Sequence, residues 1–441
     1  SSPHEEEDSA MPITAQDVPK DLKKAIIDGS CVAFVGAGFT GGLTWKDLLK
    51  EIARLAKSTN DHVKRVLEDD FLSSQELEIA AQSLLDELQE KTFRKHLKRI
   101  VSISPAAIFE RRYKWLYEIP FQAILTTNFD PHIHGMLPEP SVFRTVLQTE
   151  KQPWWDKSDW KNAPEPAQVV KLHGDVKLQP NGVVLCTRDY RRRLFHETAY
   201  LAFLRSIFAT RTVLFLGYSL TDAYLNLLRS EVLETLGHKD SDPPLAYAVM
   251  KNVNDLKAAH YRKHEGIGVL SYSTREGTNK HEGFDEWLRA IHDATNPTSQ
   301  LRELLRDKKV LWLDTHPDNN TYGMKLLQDA GQNSIKQVTT VREAIDDLEA
   351  GSRYDLIITH WGHNKTTHAA TNDPCSNAER LCHHLQSKSD RPPVICFSAR
   401  SDASKRRSEF LRMGGQEYTY EWSHLFREID RVLRDPFEKP R

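Results

Sequence analysis

Four polar motifs, each following a short apolar segment, carry the side chains of this chain that could do chemistry. They are CVAFVGAGFT (Cys31 to Thr40), AILTTNFD (Ala123 to Asp130), VVKLHGD (Val169 to Asp175) and TVLFLGYSLTD (Thr212 to Asp222). Short, continuous apolar segments are typical of strands buried on both faces of a parallel sheet. Ligands bind such a sheet at the edge where the carboxyl ends of its strands meet. We therefore expect the four polar motifs to converge on one site.

The first and last motifs supply glycine turns that could hold a pyrophosphate. Their candidate binding residues are Gly36, Ala37, Gly38 and Thr40 after the first strand, and Gly217, Ser219 and Asp222 after the last strand. Backbone N–H groups at such a turn, and the helix predicted from about Thr44, would attract an anion. A tight turn without a ligand, or a capped helix, would give the same pattern. The third glycine of the ordinary dinucleotide fingerprint is displaced, so that fingerprint is not satisfied.

The two middle motifs supply candidate catalytic groups. Asn128 can orient a water molecule or a ribose hydroxyl, and Asp130 can hold that amide in place. His173 can accept a proton near neutral pH, where its side chain ordinarily titrates. Each motif also has a structural explanation when it is taken alone, namely an Asx turn for the Asn-Asp pair and a buried, hydrogen-bonded histidine.

Taken together, GAGFT, TTNFD, KLHGD and GYSLTD resemble the sirtuin family and its bacterial sirtuin-like relatives over about residues 20–275. The resemblance implies that NAD is bound along the strand ends. It assigns the pyrophosphate to Gly36, Ala37 and Gly38, the nicotinamide and its ribose to Asn128 and Asp130, the role of base to His173, and the adenosine half to Gly217 and Ser219.

Two departures from deacylating sirtuins refine this expectation. The chain lacks their four-cysteine zinc module, since its five cysteines form no CxxC pair, and a long helical segment from Trp45 to Tyr117 follows the first glycine turn. Both features resemble the sirtuin-like NAD hydrolases of prokaryotic antiviral defence. We therefore expect NAD as the substrate, water as the acceptor, nicotinamide and ADP-ribose as products, and no zinc. A deacylase or ADP-ribosyltransferase, and a non-catalytic scaffold that binds NAD or ADP-ribose, remain as alternatives.

The order of apolar segments predicts an α/β protein with two domains. Residues 1–12 are expected to be a disordered tail. Residues 13–300 are expected to form a sirtuin-like domain with a Rossmann-type parallel sheet, a helical insertion at about 45–117, and a further strand at Val183–Cys186. Residues 305–441 are expected to form a smaller, flavodoxin-like α/β domain.

The second domain resembles the receiver domain of response regulators in VLWLD, DLIITH and VICFSA. His360 stands where a receiver carries its phosphoacceptor aspartate, so phosphorylation there is not expected. We interpret this domain as a degenerate receiver used for oligomerisation or partner docking, with a ligand sensor as the alternative.

Composition limits the partners of the chain. The 441 residues carry a formal net charge of only −2, so no general attraction to nucleic acid or to a membrane follows. The basic segments Lys91–Arg99 and Arg111–Lys114 are expected to be solvated helix faces. Without a long apolar segment or a signal peptide, a cytoplasmic protein is expected. Expected partners are NAD+, further copies of the chain, and a companion ATPase or translocase of a defence system.

Overall fold

The structure, a computed structural model, describes residues 12–40, 44–68, 73–102, 108–148, 167–218, 220, 223–239, 241–273, 282–296, 301–302, 304–331, 335–362, 376–388, 390–400 and 403–434. These residues form two compact units, of which the first ends at Thr295 and the second begins at Asn296. The predicted tail lies outside the described residues, apart from Pro12.

A parallel sheet forms the centre of the first unit. Its six described strands are β1 (Cys31–Val35), β2 (Ala123–Thr126), β3 (Gln168–Lys171), β4 (Thr212–Leu216), β5 (Ala246–Lys251) and β6 (Ile267–Tyr272). Their order is β3-β2-β1-β4-β5-β6, and all the pairings are parallel. This is the Rossmann order, in which the strand order reverses between β1 and β4. The expected convergence of the strand ends therefore has the right topology.

Helices cover both faces of this sheet. They are α1 (Lys20–Ile27), α2 (Trp45–Ala56), α3 (Asp61–Glu68), α4 (Ser74–Val101), α5 (Ile108–Glu118), α6 (Pro140–Leu147), α7 (Thr187–Phe195), α8 (Thr198–Thr210), α9 (Ala223–Leu236), α10 (Asp255–Glu265) and α11 (Glu282–Thr295). In β1, Cys31, Ala33 and Val35 pack against α1, α5 and α11. Val32 and Phe34 point to the opposite face and pack with α6, α8 and α9. Burial on both faces explains why the strands read as continuous apolar segments.

The helical insertion builds a core of its own from α2, α3 and α4. Thr44 caps α2 by accepting the Asp47 N–H at 3.1 Å, which confirms the helix start predicted there. Val183 and Leu185 belong to this core. The predicted strand at Val183–Cys186 is wrong, because this buried segment extends no sheet and leads directly into α7. Its apolar residues pack on the insertion, and apolar character alone does not distinguish that from a strand.

The second unit contains another parallel sheet. Its five described strands are β7 (Val310–Leu313), β8 (Ile335–Val338), β9 (Leu356–Thr359), β10 (Val394–Phe397) and β11 (Glu417–Thr419), in the order β11-β10-β9-β7-β8. Its helices are α12 (Thr321–Gly331), α13 (Val341–Glu349), α14 (Asn377–Gln386), α15 (Ala403–Arg412) and α16 (Trp422–Arg434). This strand order is the flavodoxin-like one. Among the helices that the structure describes, none has the length and apolar character needed to cross a membrane.

Candidate functional site

The turns after β1 and β4 pack directly against each other at the point where the strand order reverses. The Gly36 N–H donates to the Leu216 carbonyl at 3.0 Å, and the Gly38 N–H donates to the Gly217 carbonyl at 2.8 Å. A Cβ atom on Gly36 would lie 2.7 Å from the Gly217 oxygen. Gly217 has a φ of +62°, which favours glycine as well. The two glycine turns of the sequence therefore belong to one close contact.

The backbone N–H groups of the first turn are less available to a ligand than the sequence suggested. Those of Gly36 and Gly38 are used within the protein, and the Phe39 N–H donates to the Gly36 carbonyl at 3.0 Å. Thr40 is buried, and its hydroxyl donates to the Ala37 carbonyl at 3.0 Å, closing the short turn. Ala37 and Gly38 are exposed. An anion can therefore approach the turn at these two residues.

Asn128 joins the end of β2 to the turn after β1. Its side-chain Nδ2 donates to the Gly36 carbonyl at 3.1 Å, and its backbone N–H donates to Thr126 Oγ1 at 3.1 Å. The Thr126 hydroxyl in turn donates to the Val35 carbonyl at 2.9 Å. Asn128 is only 5% exposed, so these bonds are shielded from water. The motifs of β1, β2 and β4 are thus in hydrogen-bonded contact.

Asp130 forms the local turn that its sequence context allowed. Its Oδ1 accepts the His132 N–H at 2.9 Å, which makes an Asx turn. Burial, followed by the nearby charge of Asp130, raises the pKa of Tyr113 above its ordinary value. The carboxylate of Asp130 therefore lies close to α5, in the loop that follows Asn128.

His173 follows β3 at the same edge of the sheet. The Leu172 N–H donates to the Thr126 carbonyl at 2.8 Å, and the His173 carbonyl accepts the Val184 N–H at 2.9 Å. The histidine is 7% exposed, and its ring packs edge-on against Tyr190 with 5.4 Å between ring centroids. The strand ends that carry the amide and imidazole side chains are therefore neighbours.

The electrostatic environment keeps the His173 imidazole neutral. Burial, followed by the positive charge of Arg193, lowers the pKa of His173 to about 3 despite the opposing effect of Asp189. A neutral imidazole can accept a proton, and it does not repel a cation placed beside it. A base with so low a pKa is weak, however, because general-base catalysis is most efficient when the pKa lies near the working pH. The imidazole ring of His173 is therefore suited to accept a proton whose acidity the reaction itself has increased.

A small, open cleft borders His173. Its lining comes from α7, α8 and α9 rather than from the turn after β1, and includes Arg193 and several leucines. Tyr190 and Tyr224 stack on one another in this lining, with 5.3 Å between their ring centroids. His173 thus separates the sheet edge from an aromatic and aliphatic cleft.

Arg112 of α5 supports the first glycine turn from inside the protein. Its side chain is fully buried, donates from Nη1 to the Phe39 carbonyl at 2.9 Å, and forms an ion pair with Asp285 of α11. The prediction of a solvated helix face at Arg111–Lys114 is therefore wrong for Arg112. The only sign in the sequence that Arg112 is buried is its position among the apolar residues of a helix. That sign is weak, because basic residues are rarely buried without a partner.

Arg94 of α4 plays a similar part beside His173. Its Nη2 lies 2.9 Å and 3.0 Å from the two carboxylate oxygens of Asp189, and its Nη1 donates to the Val183 carbonyl at 3.0 Å. Because the Val184 N–H donates to the His173 carbonyl, this ion pair connects the insertion to the histidine segment. Arg94 is only 4% exposed, so the predicted solvated face is wrong here too.

Ser219 and Asp222 lie outside the described residues. In the second unit, Glu417, His424 and Glu428 bring three potential metal-binding atoms within 4.8 Å of one another. Arg407 already contacts Glu417, and Arg431 contacts Glu428 at 2.7 Å. Two guanidinium groups therefore balance the two carboxylates, and the group is best explained as an ion-pair network.

Residues 122–270 match the SIR2-like domain family. The matched segment contains Asn128, Asp130, His173 and Gly217, and it begins after the first glycine turn.

Three curated relatives are similar to part of the chain. The NAD(+) hydrolase ThsA of Bacillus cereus (strain MSX-D12) is 29% identical over 217 residues, which are 48% of this chain and 42% of that protein. The NAD(+) hydrolase ThsA of Cytobacillus dafuensis is 27% identical over 279 residues, which are 61% of this chain and 50% of that protein. Defense-associated sirtuin 2 of Bacillus subtilis is 22% identical, over 43% of this chain and 18% of that protein. The chain thus spans half or less of the length of each relative.

A solved structure of a Francisella response regulator receiver domain is similar to a part of the chain. The match covers 29% of this chain and 98% of the receiver domain, with 18% identity and a TM-score of 0.23. A match at that score assigns no fold, so the second unit is described by its own strand order. Its receiver-like character stays a prediction.

Proposed function

We propose that the chain is an NAD+ glycohydrolase, which cleaves the bond between nicotinamide and ribose and releases nicotinamide and ADP-ribose. The observation that carries the proposal is the hydrogen bond from Asn128 Nδ2 to the Gly36 carbonyl. It joins a candidate catalytic amide to a candidate pyrophosphate turn at the edge where such sheets bind nucleotides. The match to the SIR2-like domain and the names of the relatives support this reaction.

In this proposal, NAD+ lies across the carboxyl edge of the first sheet. Its pyrophosphate rests on Ala37 and Gly38, the exposed residues of the first glycine turn. Its adenosine half extends past the turn at Gly217. The nicotinamide ribose then faces the loop that carries Asn128 and Asp130.

The chemistry follows from the charge of the substrate. The bond between the ribose carbon and the nicotinamide nitrogen breaks, its electron pair neutralises the nicotinamide, and the ribose becomes oxocarbenium-like. Water attacks that carbon, and His173 takes the proton that the water loses. Water attached to such a cation is strongly acidic, so a weak base suffices. The neutral state of His173 also avoids repelling the positively charged nicotinamide ring.

The alternatives are less well supported by the chain. A sirtuin-type deacylase or ADP-ribosyltransferase would have to work without the four-cysteine zinc module, because no CxxC pair occurs in the sequence. A scaffold that only binds NAD or ADP-ribose has no need of a base such as His173. Water is therefore the acceptor that we propose.

We also propose that the enzyme acts in antiviral defence and is held inactive until assembly or a partner activates it. A freely active NAD hydrolase would deplete the NAD+ of its own cell. The insertion is a suitable gate, because the Arg94–Asp189 ion pair joins α4 to the segment beside His173. Oligomers and a companion ATPase or translocase belong to the same proposal.

The test is to incubate the purified chain with NAD+, with and without candidate partners, and measure nicotinamide and ADP-ribose by chromatography, without any acyl substrate. Asn128→Ala and His173→Ala should stay folded and release nicotinamide about 100-fold or more slowly, since proton transfer alone is worth ~10²–10⁴-fold. His196→Ala, which changes an exposed histidine at the end of α7, serves as the matched control and should keep the rate of the wild type.

Three other outcomes would contradict the proposal. Unchanged nicotinamide release in both variants would remove the assigned roles. Nicotinamide release that requires an acylated peptide would indicate a deacylase. Tight binding of ADP-ribose without turnover, with and without candidate partners, would indicate a scaffold.

A further inference from the structure

Lys171, the last residue of β3, is a fully buried lysine that the proposed mechanism does not use. Its ammonium group donates to the backbone carbonyls of Asp130 and Ile133, the latter at 3.1 Å. It also contacts Asp175 Oδ2 at 2.7 Å. An ammonium has three N–H groups, so these three acceptors satisfy it completely. We refer to these contacts as the Lys171 network.

The Lys171 network joins two loops that each carry a candidate catalytic residue. Asp130 and Ile133 lie in the loop after β2, which also carries Asn128, whereas Asp175 lies two residues beyond His173. Both loops are held at the same nitrogen atom. A shift of either loop would therefore break part of the network.

Backbone hydrogen bonds also connect the loop after β2 to the loop after His173 and to β3. The Val176 N–H donates to the Phe129 carbonyl at 2.9 Å. The Met136 N–H donates to the Val169 carbonyl at 2.8 Å, and the Lys171 N–H donates to the Met136 carbonyl at 2.9 Å. Lys171, at the end of β3, therefore lies between two loops that are also joined by a backbone hydrogen bond.

Asp175 completes the network electrostatically. Burial alone would raise the pKa of Asp175, but the hydrogen bonds from Lys171 and from the backbone N–H groups of Leu178 and Lys177 hold that pKa below its ordinary value. The carboxylate is therefore charged and fully engaged. Its Oδ1 accepts the N–H groups of Lys177 and Leu178 at 2.7 Å and 3.0 Å, which fixes the loop after His173.

A buried ion pair is a costly way to obtain stability alone, because both charges must be removed from water. A pair of apolar side chains would pack these loops at lower cost, but it would not fix three hydrogen-bond directions at one atom. A displacement of about 1 Å in a catalytic group can reduce a rate by about 100-fold. Control of the loop geometry therefore explains the burial of Lys171 better than a contribution to stability alone does.

We propose that Lys171 is a positioning residue, which sets the placement of the Asn128 loop relative to His173 through the carbonyls of Asp130 and Ile133 and the carboxylate of Asp175. The inference rests on the proposed NAD+ glycohydrolase activity. It adds a residue that touches neither substrate nor water and acts through the two loops.

The test compares two variants with a matched control in the full chain. Lys171→Arg keeps the charge but replaces a compact ammonium by a planar fork. The double variant Lys171→Met/Asp175→Asn removes both charges, so that no unpaired charge stays buried. Arg229→Met removes another buried cation of the first unit, which pairs with Glu265 at 2.6 Å, and controls for a general loss of stability.

We expect both Lys171 variants to bind ADP-ribose within about threefold of the wild-type affinity and to lose about tenfold or more in kcat. Amide hydrogen exchange should quicken at residues 129–136 and at Val176, while β1 and β4 stay protected. Arg229→Met should leave exchange in that loop unchanged. This separation of kcat from binding is not expected of a residue that only stabilises the fold.

Two results would refute the proposed positioning role of Lys171. One is an unchanged kcat together with unchanged exchange in the loop after β2. The other is a parallel loss of binding and turnover that Arg229→Met reproduces. A wild-type chain without NAD+ turnover, both alone and with candidate partners, would instead reject the proposed function, and loop exchange in the variants would still test the network itself.

Discussion

The protonation state of His173 is the residue-level feature with the clearest consequence. Its pKa is about 3 in the folded chain, compared with an ordinary value of 6.5. Between these values the unfolded state binds a proton that the folded state does not. The contribution of this residue to stability is therefore present above pH 6.5 and is lost as the pH falls towards 3.

Replacing His173 by Gln should remove this pH dependence. Between pH 6.5 and 4, the free energy of unfolding of the wild type should fall relative to that of His173→Gln, by up to about 1.4 kcal/mol for each pH unit. Urea denaturation of both proteins at pH 7, 6, 5 and 4 measures this difference. Parallel curves for the two proteins would show that the folded histidine titrates normally.

At the same scale, the sequence predicted the candidate side chains better than their supports. Asn128 and His173 follow recognisable strands and belong to known motifs, so their placement at one edge could be expected. Lys171 and Arg112 were not identified, because burial of a cation depends on distant partners such as Asp285 that no local pattern reveals. The glycine turn was predicted, but the internal use of its N–H groups depends on β4.

At the level of elements, the insertion is an integral part of the first unit. Its helices share a core with Val176, Val183 and Leu185, which follow His173 in the chain. The Arg94–Asp189 ion pair reinforces that contact, and both of its side chains are almost fully buried. A change in the position of α4 would therefore directly displace the segment that follows His173.

Arg94→Met should lower the free energy of unfolding by about 3–5 kcal/mol, because it leaves the Asp189 carboxylate buried without its charged partner. The double variant Arg94→Met/Asp189→Leu should recover part of that loss. Arg205→Met breaks an exposed pair with Glu231, whose side chains are 46% and 51% exposed, and should cost less than about 1 kcal/mol. Chemical denaturation measures all three. Equal, small losses for Arg94→Met and Arg205→Met would contradict a coupling of the insertion through this pair.

Elements with continuous apolar residues were predicted well, and shorter or more polar ones were not. The four apolar segments that precede the polar motifs were expected as strands, and they form β1 to β4. The sequence did not reveal β8 (IKQV) or β11 (EYT), which are short and carry polar residues. Their pairing with β7 and β10 comes from the sheet around them, which local composition does not report.

At the scale of the whole molecule, two units with different strand orders occur in one chain. The first has the Rossmann order and the second the flavodoxin-like order, and each has its own apolar core. Alternation of apolar segments and helices predicted two α/β units. The roles proposed for the second unit, in oligomerisation or in docking a partner, depend on surfaces that single-chain patterns do not specify.

The most direct test of the central claim is a crystal structure of the full-length His173→Gln variant grown with NAD+. We predict that the pyrophosphate lies against Ala37 and Gly38, and that the nicotinamide ribose lies between Asn128 and residue 173. NAD+ bound elsewhere, or with its nicotinamide ribose out of reach of both residues, would contradict a shared site at the carboxyl edge of the first sheet.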